Sequence, residues 1–508
     1  MLKLDVANHA ASYQVLLARD ARFDGRMFVG VTSTGIYCRP ICRVRTPKPQ
    51  NCRFFLTPAQ AEAERFRPCM KCRPEIAPGH SMPWSVMDAS RTLARQAAQA
   101  LDAQAASGHT PRLQDMALKL GVSDRHLRRI FQAEHGVTPV QYLQTRRLLL
   151  AKLLLTDTRL PITQVASASG YRSLRRFNAA FAENYRMSPS RLRSDVKKEA
   201  SHQAHADTDA VQIALSYRAP YDVQRLMKFV AQRAIPGVEA VDGLHIRRTV
   251  RAGAINSSTP HITAWIAVEF VPAKARVRLS FSPEWAHASA AVAAAARRWL
   301  DLDAAPHTMH AALADLPDLA DLPDKQGLRL PGSLDGFELA VRAVLGQQVT
   351  VAAARTLASR FVQRFGSEVV TPWADVNRAF PSPESLADVP LERIAELGII
   401  RSRAGAILAL AKAWPALALG LSADQTPDHL LAGLVALPGI GPWTASYIVM
   451  RAMSWPDVFL PNDVALLKAM KQLFNTSNQR EADAFAQRWR PWRSYAVLHL
   501  WNSLEKST

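Results

Sequence analysis

Leu437–Asp463 reads LPGIGPWTASYIVMRAMSWPDVFLPND and sets two glycines in a short turn between apolar segments. Leu430, Leu431, Leu434 and Leu437 lead into the turn, and Trp443 to Met453 leave it. Glycine accepts a positive φ and carries no side chain, and Pro442 suits the first turn of a helix, where its missing N–H costs nothing. Gly439 and Gly441 therefore let the backbone come close to another chain, with the free N–H groups of the next helix facing an anion. A DNA phosphate fits. Further on, Phe459-Leu460-Pro461-Asn462-Asp463-Val464 puts an acid at the start of another helical run, Asp463 to Phe474.

This hairpin followed by an acid resembles the helix-hairpin-helix glycosylases that remove damaged bases from DNA. PGIGPWTASY, DVFLPND and Arg490-Pro491-Trp492-Arg493-Ser494-Tyr495-Ala496 resemble the alkylpurine branch, AlkA, and the similarity runs from Tyr217-Arg218-Ala219-Pro220-Tyr221-Asp222 to about Glu505. The resemblance implies a glycosylase of the DNA-3-methyladenine glycosylase II type, hydrolysing the N-glycosidic bond of alkylated purines. Breaking that bond builds positive charge on the sugar. A carboxylate held nearby stabilises that charge and orients or deprotonates the attacking water. Asp463 is the expected catalytic acid; Asp457, in the polar turn Ser454-Trp455-Pro456-Asp457, is expected to be solvated. A flipped base is held against aromatic faces. Trp443 and Tyr447, four apart, share one helix face. The resemblance places Trp443 in the base pocket, where its indole would attract a cationic alkylpurine; the alternative is that both rings are core aromatics.

Two absences narrow the chemistry. Relatives that also cut the strand carry a Schiff-base lysine two residues after the second hairpin glycine, where this chain has Trp443, so a water-using, monofunctional enzyme is expected. Others carry a C-terminal iron–sulfur cluster on four cysteines, and no cysteine follows Cys72. The segment Gly346-Gln347-Gln348-Val349-Thr350 matches the one that fills the gap left by the flipped base, yet a family member has leucine at the position of Gln348. Glutamine hydrogen-bonds to an orphan base but is a poorer apolar wedge. Asn462 departs too, standing where that relative has a second aspartate.

The chain has 508 residues, 48% of them hydrophobic, enough for several domains with separate cores. Its N-terminus, MLKLDVANHAASYQ, has no apolar h-region, and its alanine-rich runs are broken by polar residues or proline. A cytoplasmic protein with no membrane partner is expected. The net charge of +20 is unevenly placed: residues 1–80 hold 13 Lys and Arg against 6 Asp and Glu, residues 112–193 hold 15 against 5, and residues 205–508 hold 31 against 28. Two basic modules thus precede a nearly neutral half, which points to two nucleic-acid contacts.

All five cysteines lie within the first 72 residues. Cys38-x3-Cys42 and Cys69-x2-Cys72 have the paired short spacings that bring four thiolates to one tetrahedral Zn²⁺. Cys52 has no partner at ligand spacing and reads as a small packed residue. Thr34-Gly35-Ile36-Tyr37-Cys38-Arg39-Pro40-Ile41-Cys42 and Phe66-Arg67-Pro68-Cys69-Met70-Lys71-Cys72 resemble the N-terminal domain of the Ada adaptive-response family. The resemblance implies that Cys38 takes a methyl group from a DNA methylphosphotriester. A four-thiolate zinc site carries net charge −2 and repels the DNA backbone; methylating one sulfur removes one negative charge, so repair itself would raise DNA affinity.

After a connection expected to be helical from Met87 to Ala105 and loosened at Ser107-Gly108, residues 112–193 give two helix-turn-helix patterns. Leu113 to Leu120, the turn Gly121-Val122-Ser123 and a helix Asp124 to His135 form the first, presenting Arg125, His126, Arg128 and Arg129. Ile162 to Ala168, the turn Gly170-Tyr171-Arg172-Ser173 and a helix Leu174 to Tyr185 form the second, presenting Arg175, Arg176 and Asn178, with a long helix Val140 to Leu155 between them. The arrangement, ending in Tyr185-Arg186-Met187-Ser188-Pro189, resembles the AraC-type DNA-binding module, which implies recognition helices in adjacent major-groove segments. Beyond a polar linker come strands at Val211–Tyr217, Leu244–Val250, Ile262–Phe270 and Val277–Phe281, with helices near Asp222–Ala234 and Pro283–Leu300.

The expected fold is multidomain and mainly α with α+β parts. It comprises a zinc-binding methyl-acceptor domain (1–80), an AraC-type double helix-turn-helix (81–195), a linker (196–209), a small antiparallel α+β domain (210–325) and an all-α helix-hairpin-helix glycosylase domain (326–508). The implied function is an Ada-like sensor and transcriptional activator, working with RNA polymerase, fused to an AlkA-like glycosylase on double-stranded DNA. No cysteine remains to serve a guanine-O6 methyl acceptor of the Pro-Cys-His-Arg kind. Two alternatives stay open: a regulator whose glycosylase half binds DNA without catalysis, and a zinc-stabilised repair scaffold without regulation.

Overall fold

The computed structural model describes residues 6, 8–79, 89–105, 113–200, 210–251, 253–255, 262–316, 327–418 and 427–504. The chain divides into two compact units, residues 1–219 with 275–294, and residues 220–274 with 295–508.

The first unit opens with helix α1 (His9–Leu17), strands β1 (Phe28–Val31), β2 (Ile36–Cys38) and β3 (Cys52–Phe55), helix α2 (Pro58–Ala63) and the short β4 (Arg67–Pro68). The sheet order is β3-β1-β2-β4, with β2 and β4 parallel and Tyr37 opposite Pro68. That parallel pairing sets Cys38, the last residue of β2, level with Cys69, the first after β4. Cys52 is buried, as expected of a packed residue.

Seven helices follow: α3 (Ala89–Gln104), α4 (Leu113–Lys119), α5 (Asp124–His135), α6 (Pro139–Asp157), α7 (Ile162–Ala168), α8 (Leu174–Tyr185) and α9 (Pro189–Ala200). Helix α6 starts at a capping box, in which Thr138 and Gln141 satisfy each other's backbone N–H. Two cores form around it. Leu101, Met116, Leu127, Ile130, Phe131 and Leu143 make one, and Leu148, Leu154, Val165, Phe177, Phe181 and Tyr185 the other. The expected linker is helical as far as Ala200, because Lys197-Lys198-Glu199-Ala200 are good helix formers with no Gly or Pro among them. Its remainder, 201–209, lies outside the described residues, as do the expected helix start at Met87 and the loosening at Ser107-Gly108.

Beyond residue 209 the chain forms β5 (Val211–Ser216), α10 (Val223–Arg233), β6 (Glu239–Asp242), β7 (His245–Val250), β8 (Ala264–Val271), β9 (Arg276–Phe281), α11 (Ser289–Trp299) and α12 (Pro306–Ala312). A 3₁₀ segment, Pro283–Ala288, occupies the start of the helix expected from Pro283. In the first unit β5 pairs antiparallel with β9, Ile213 opposite Leu279. Arg218, buried there, donates to the carbonyl oxygens of Asp24 at 3.0 Å and Pro78 at 3.4 Å. In the second unit β6, β7 and β8 pair antiparallel, with Ile246 opposite both Val241 and Val268. Strand β6 has no sequence signal, since Glu-Ala-Val-Asp shows no apolar alternation; its pairing with β7 makes it a strand.

The described remainder of the second unit is mainly helical, with one two-stranded antiparallel sheet (Ser367–Glu368 and Arg378–Ala379): α13 (Gly336–Leu345), α14 (Val351–Phe365), two single-turn helices (Pro383–Leu386, Leu391–Ala395), α15 (Arg401–Leu417), α16 (Pro427–Val435), α17 (Pro442–Ala452), α18 (Val464–Phe474), α19 (Gln479–Ala486) and α20 (Arg493–Leu504). One core joins α13, α14, α15, α16 and α17, and another joins α12, α18, α19 and α20. A buried quartet locks α13 to the sheet: Arg248 meets Glu239 at 3.3 Å and Glu338 at 2.6 Å, while Arg342 meets Glu239 at 2.6 Å and Glu338 at 2.7 Å. Two arginines facing two glutamates leave no buried charge unpaired.

Candidate functional sites

The hairpin joins α16 to α17. Gly439 has φ +80°, a conformation that favours glycine, and a Cβ there would lie 2.9 Å from the Ala406 Cβ of α15. Gly441 has a different role. Its φ of −81° suits any residue, it is the N-cap of α17 with no side-chain cap bond, and a Cβ there would meet nothing within 4 Å. The open space and uncapped N–H groups suit an approaching phosphate. Gln347 braces the turn, its Nε2 donating to the Gly439 carbonyl at 3.0 Å and to Thr444 Oγ1 at 3.1 Å, while Arg403 holds the Gln347 carbonyl. Gln348 beside it is exposed, with φ +52°.

Asp463 caps α18, its Oδ1 accepting from the Leu466 N–H at 2.6 Å. Oδ1 also accepts from Trp501 Nε1 at 3.1 Å, and Oδ2 from Trp443 Nε1 at 2.7 Å. The carboxylate is therefore buried and aimed by three donors from α17, α18 and α20. Asn462 has φ +55°, which asparagine tolerates better than most side chains. Trp443 and Tyr447 stack, with centroids 5.3 Å apart. Arg451 Nη1 donates to the Tyr447 hydroxyl at 2.6 Å. Burial pushes the Tyr447 phenol up, but Arg451, with Arg233 and Arg342, outweighs it and leaves the phenol below its ordinary value.

The expectation that Asp457 is solvated is wrong. Its carboxylate is buried, accepting from Arg490 Nε at 3.0 Å and Arg493 Nε at 2.6 Å. The turn is polar by composition, yet its acid faces the arginines of the RPWR segment more than 30 residues later, a contact that spacing cannot reveal. The sequence reading also misses Trp501, Gln347, Arg403 and Arg451. A signal for Trp501 exists: a carboxylate buried on an apolar helix needs donors, and indole offers one without a charge.

In the first unit, Cys38, Cys42, Cys69 and Cys72 are all buried, and their Sγ atoms lie within 4.8 Å of one another. Four sulfurs about 2.3 Å from one Zn²⁺ stand roughly 3.8 Å apart, so these residues fit one zinc ion. The Arg39 N–H donates to Cys72 Sγ at 3.3 Å, and its guanidinium reaches the Cys72 carbonyl at 3.1 Å and pairs with Asp24. A fixed positive charge thus stands behind the thiolates.

The zinc module is bonded to the helix-turn-helix module. Arg73, next to Cys72, meets Asp157 at 2.6 Å and Glu75 at 2.9 Å, and Glu75 meets Lys152 of α6 at 2.5 Å. Tyr37, next to Cys38, donates to Glu62 Oε1 at 3.0 Å, and Tyr185 of α8 donates to the same oxygen at 3.5 Å. Burial raises the Glu62 carboxyl to about 8, although bonds from Tyr37, Thr145 and Tyr185 pull it down. On the recognition helices, Arg125, Arg128 and Arg129 of α5 and Arg175, Arg176 and Asn178 of α8 are exposed, and His126 is half-buried. Arg128 pairs with Asp124 at 3.0 Å and Arg129 contacts His126 Nδ1 at 3.1 Å.

These features define a class: a zinc-bearing helix-turn-helix regulator joined to a helix-hairpin-helix base-excision glycosylase. Residues 11–75 match the family described as the metal binding domain of Ada, 116–195 a helix-turn-helix domain, 212–335 the AlkA N-terminal domain and 341–494 the HhH-GPD superfamily of base excision DNA repair proteins. A Mycobacterium tuberculosis protein named "Probable bifunctional transcriptional activator/DNA repair enzyme AlkA" is 36% identical over 97% of this chain and 96% of its own length. The chain belongs to that bifunctional activator and repair family. DNA-3-methyladenine glycosylase 2 of Escherichia coli is 33% identical, over 56% of this chain and 95% of that protein. The bifunctional transcriptional activator/DNA repair enzyme Ada of E. coli is 34% identical, over 27% of this chain and 35% of that protein. Among the described residues, no helix is long and apolar enough to cross a membrane.

Proposed function

We propose that this chain repairs alkylated DNA and controls that repair. Its C-terminal half hydrolytically excises alkylated purines such as 3-methyladenine from double-stranded DNA. Its N-terminal half accepts a methyl group from a DNA methylphosphotriester on Cys38 and then activates transcription from promoter DNA with RNA polymerase, in the cytoplasm. The proposed division is 1–80, 81–195, 196–209, 210–325 and 326–508. The observation that carries the glycosylase reading is Asp463, buried beside the hairpin and aimed by two indole N–H groups.

In the excision, the hairpin N–H groups around Gly439 and Gly441 hold a phosphate, Gln348 enters the gap in the duplex, and the outer face of Trp443 receives the flipped base, with Tyr447 behind it. The C1′–N bond breaks with its electron pair leaving on the base, so a cationic alkylpurine departs neutral. Asp463 stabilises the sugar cation; water oxygen bonds to C1′ and gives its proton to the Asp463 carboxylate. In the methyl transfer, the Cys38 sulfur forms a bond to the methyl carbon as the methyl–oxygen bond breaks, and the electron pair stays on the phosphate as a diester anion. Cys38, Cys42, Cys69 and Cys72 would hold the zinc ion, which would keep that sulfur a thiolate at neutral pH. Arg125, His126, Arg128 and Arg129, with Arg175, Arg176 and Asn178, read the promoter.

Asp463→Asn tests the first activity. Asparagine is as good an N-cap as aspartate, so the cap of α18 survives the change. Release of 3-methyladenine should fall about a hundredfold or more with DNA binding kept; a parental rate rejects the reading. Cys38→Ser should abolish methyl transfer from phosphotriester DNA, and undiminished transfer rejects the second activity.

A further inference from the structure

The residues around Asp457 form a closed ring with the proposed active site. Asp457 holds Arg490 and Arg493 through its carboxylate, and its carbonyl accepts from Arg493 Nη2 at 3.0 Å. Ser494 adds a second stitch: its Oγ donates to the Trp455 carbonyl at 2.7 Å and accepts from the Val458 N–H at 3.0 Å, and its N–H reaches the Pro456 carbonyl at 2.9 Å. The turn 455–458 is thereby fastened to the first turn of α20. Eight residues along that helix, about 12 Å at 1.5 Å per residue, Trp501 donates to Asp463 at 3.1 Å. Asp463 itself follows Asp457 by six residues, with Phe459 and Leu460 buried between them. Both ends of α20 therefore grip the segment that carries the acid.

We propose that Asp457 is a positioning residue for base excision: it fixes the rotation and height of α20 so that Trp501 holds one oxygen of Asp463. It touches neither base nor sugar, and it acts through Trp501. The proposal rests on the reading of Asp463 as the catalytic acid. An alternative role, simple stabilisation of the C-terminal helices, predicts that Asp457 and Trp501 contribute independently.

The test is a double-mutant cycle on the full-length protein, reading single-turnover release of 3-methyladenine from methylated duplex. Asp457→Asn and Trp501→Phe should each slow release about tenfold, the loss of one charge-assisted hydrogen bond, with DNA affinity nearly unchanged. The double variant should be no slower than Trp501→Phe within about twofold. In ¹⁵N-tryptophan-labelled protein, the Trp501 indole N–H resonance, identified by its absence from Trp501→Phe, should move upfield in Asp457→Asn as its bond to the carboxylate is lost. If Asp457→Asn does not fold, Ser494→Ala removes the neighbouring stitch without stranding a charge and should show the same non-additivity with Trp501→Phe. Multiplicative losses, an unmoved resonance, or a parental rate in the folded variants overturns the role of Asp457. Asp463→Asn, run alongside, separates the two claims: if it is inactive, such results overturn only the positioning role, and if it retains the parental rate both claims fall.

Discussion

The rings of Trp443 and Tyr447 lie 5° from parallel, so each covers one face of the other and no base fits between them without prising the pair apart. On the base-pocket role proposed for Trp443, the face left for a base is its outer one, while its N–H edge is committed to Asp463. The proposal thus gives Trp443 two separable jobs. Trp443→Phe keeps a ring but removes the donor, and should slow excision about tenfold for cationic and neutral lesions alike, the equivalent of a hydrogen bond to a charged group. Trp443→Ala should go further and erase any preference for cationic 3-methyladenine over neutral hypoxanthine, since cation–π attraction contributes about 0.5–2 kcal/mol. Single-turnover rates on the two lesions measure both.

Gln348 projects from a left-handed backbone position braced by Gln347. On the proposed gap-filling role, its amide would pair with the orphaned base. Gln348→Ala should therefore slow release most where the lesion sits in a stable base pair and least where it faces a mismatch, because unpairing costs a few kcal/mol less there. Equal slowing on both substrates would assign the gap-filling to another side chain.

Zinc removal should reach beyond the zinc module. Structural zinc contributes roughly 10–16 kcal/mol to small metal-bound folds, so a chelator should release one equivalent of Zn²⁺ and unfold residues 8–79. Lys152 would then lose Glu75, and Asp157 would lose Arg73. Promoter affinity should fall together with zinc loss, while 3-methyladenine excision persists; zinc content, circular dichroism and gel shift on one titration report all three.

Glu62 should impose a pH dependence on the first unit. Its folded carboxyl, raised by burial to about 8, lies above the ordinary value of 4.5. The folded state then keeps a proton that the unfolded state has released, so stability is fullest below about pH 4.5 and drains away as pH rises towards 8. Glu62→Gln removes this titration. The urea midpoint of the zinc and helix-turn-helix modules should decline between pH 5 and 8 in the parent and stay flatter in the variant.

The parts of the site that sequence exposes are those set by short-range chemistry. Gly439 must turn with positive φ, Pro442 must open a helix, and four cysteines must meet one ion. Each constraint acts within a few residues. What escaped the sequence is long-range: Asp457 meets Arg493, Trp501 meets Asp463, and Glu75 meets Lys152 across 77 positions. Strand β6 shows the same limit, being a strand because of its neighbour. Gly441 is instructive in another way, since its glycine answers to open space in front of the helix and not to its own dihedral angles.

The chain of ion pairs Asp157–Arg73–Glu75–Lys152 has a geometric corollary for how damage is reported. The Glu75–Lys152 pair, hidden from water, cannot part without stranding its charges, so the zinc module and the helix-turn-helix module travel as one casting with a preset angular offset. On a duplex that turns once in about 10.5 base pairs, a marked phosphate and a promoter word must lie on compatible sides of the double helix for both to be engaged at once. The methyl of the proposed transfer stays on Cys38 after the phosphate is released, so a mark mended elsewhere would still arm the same casting for the promoter.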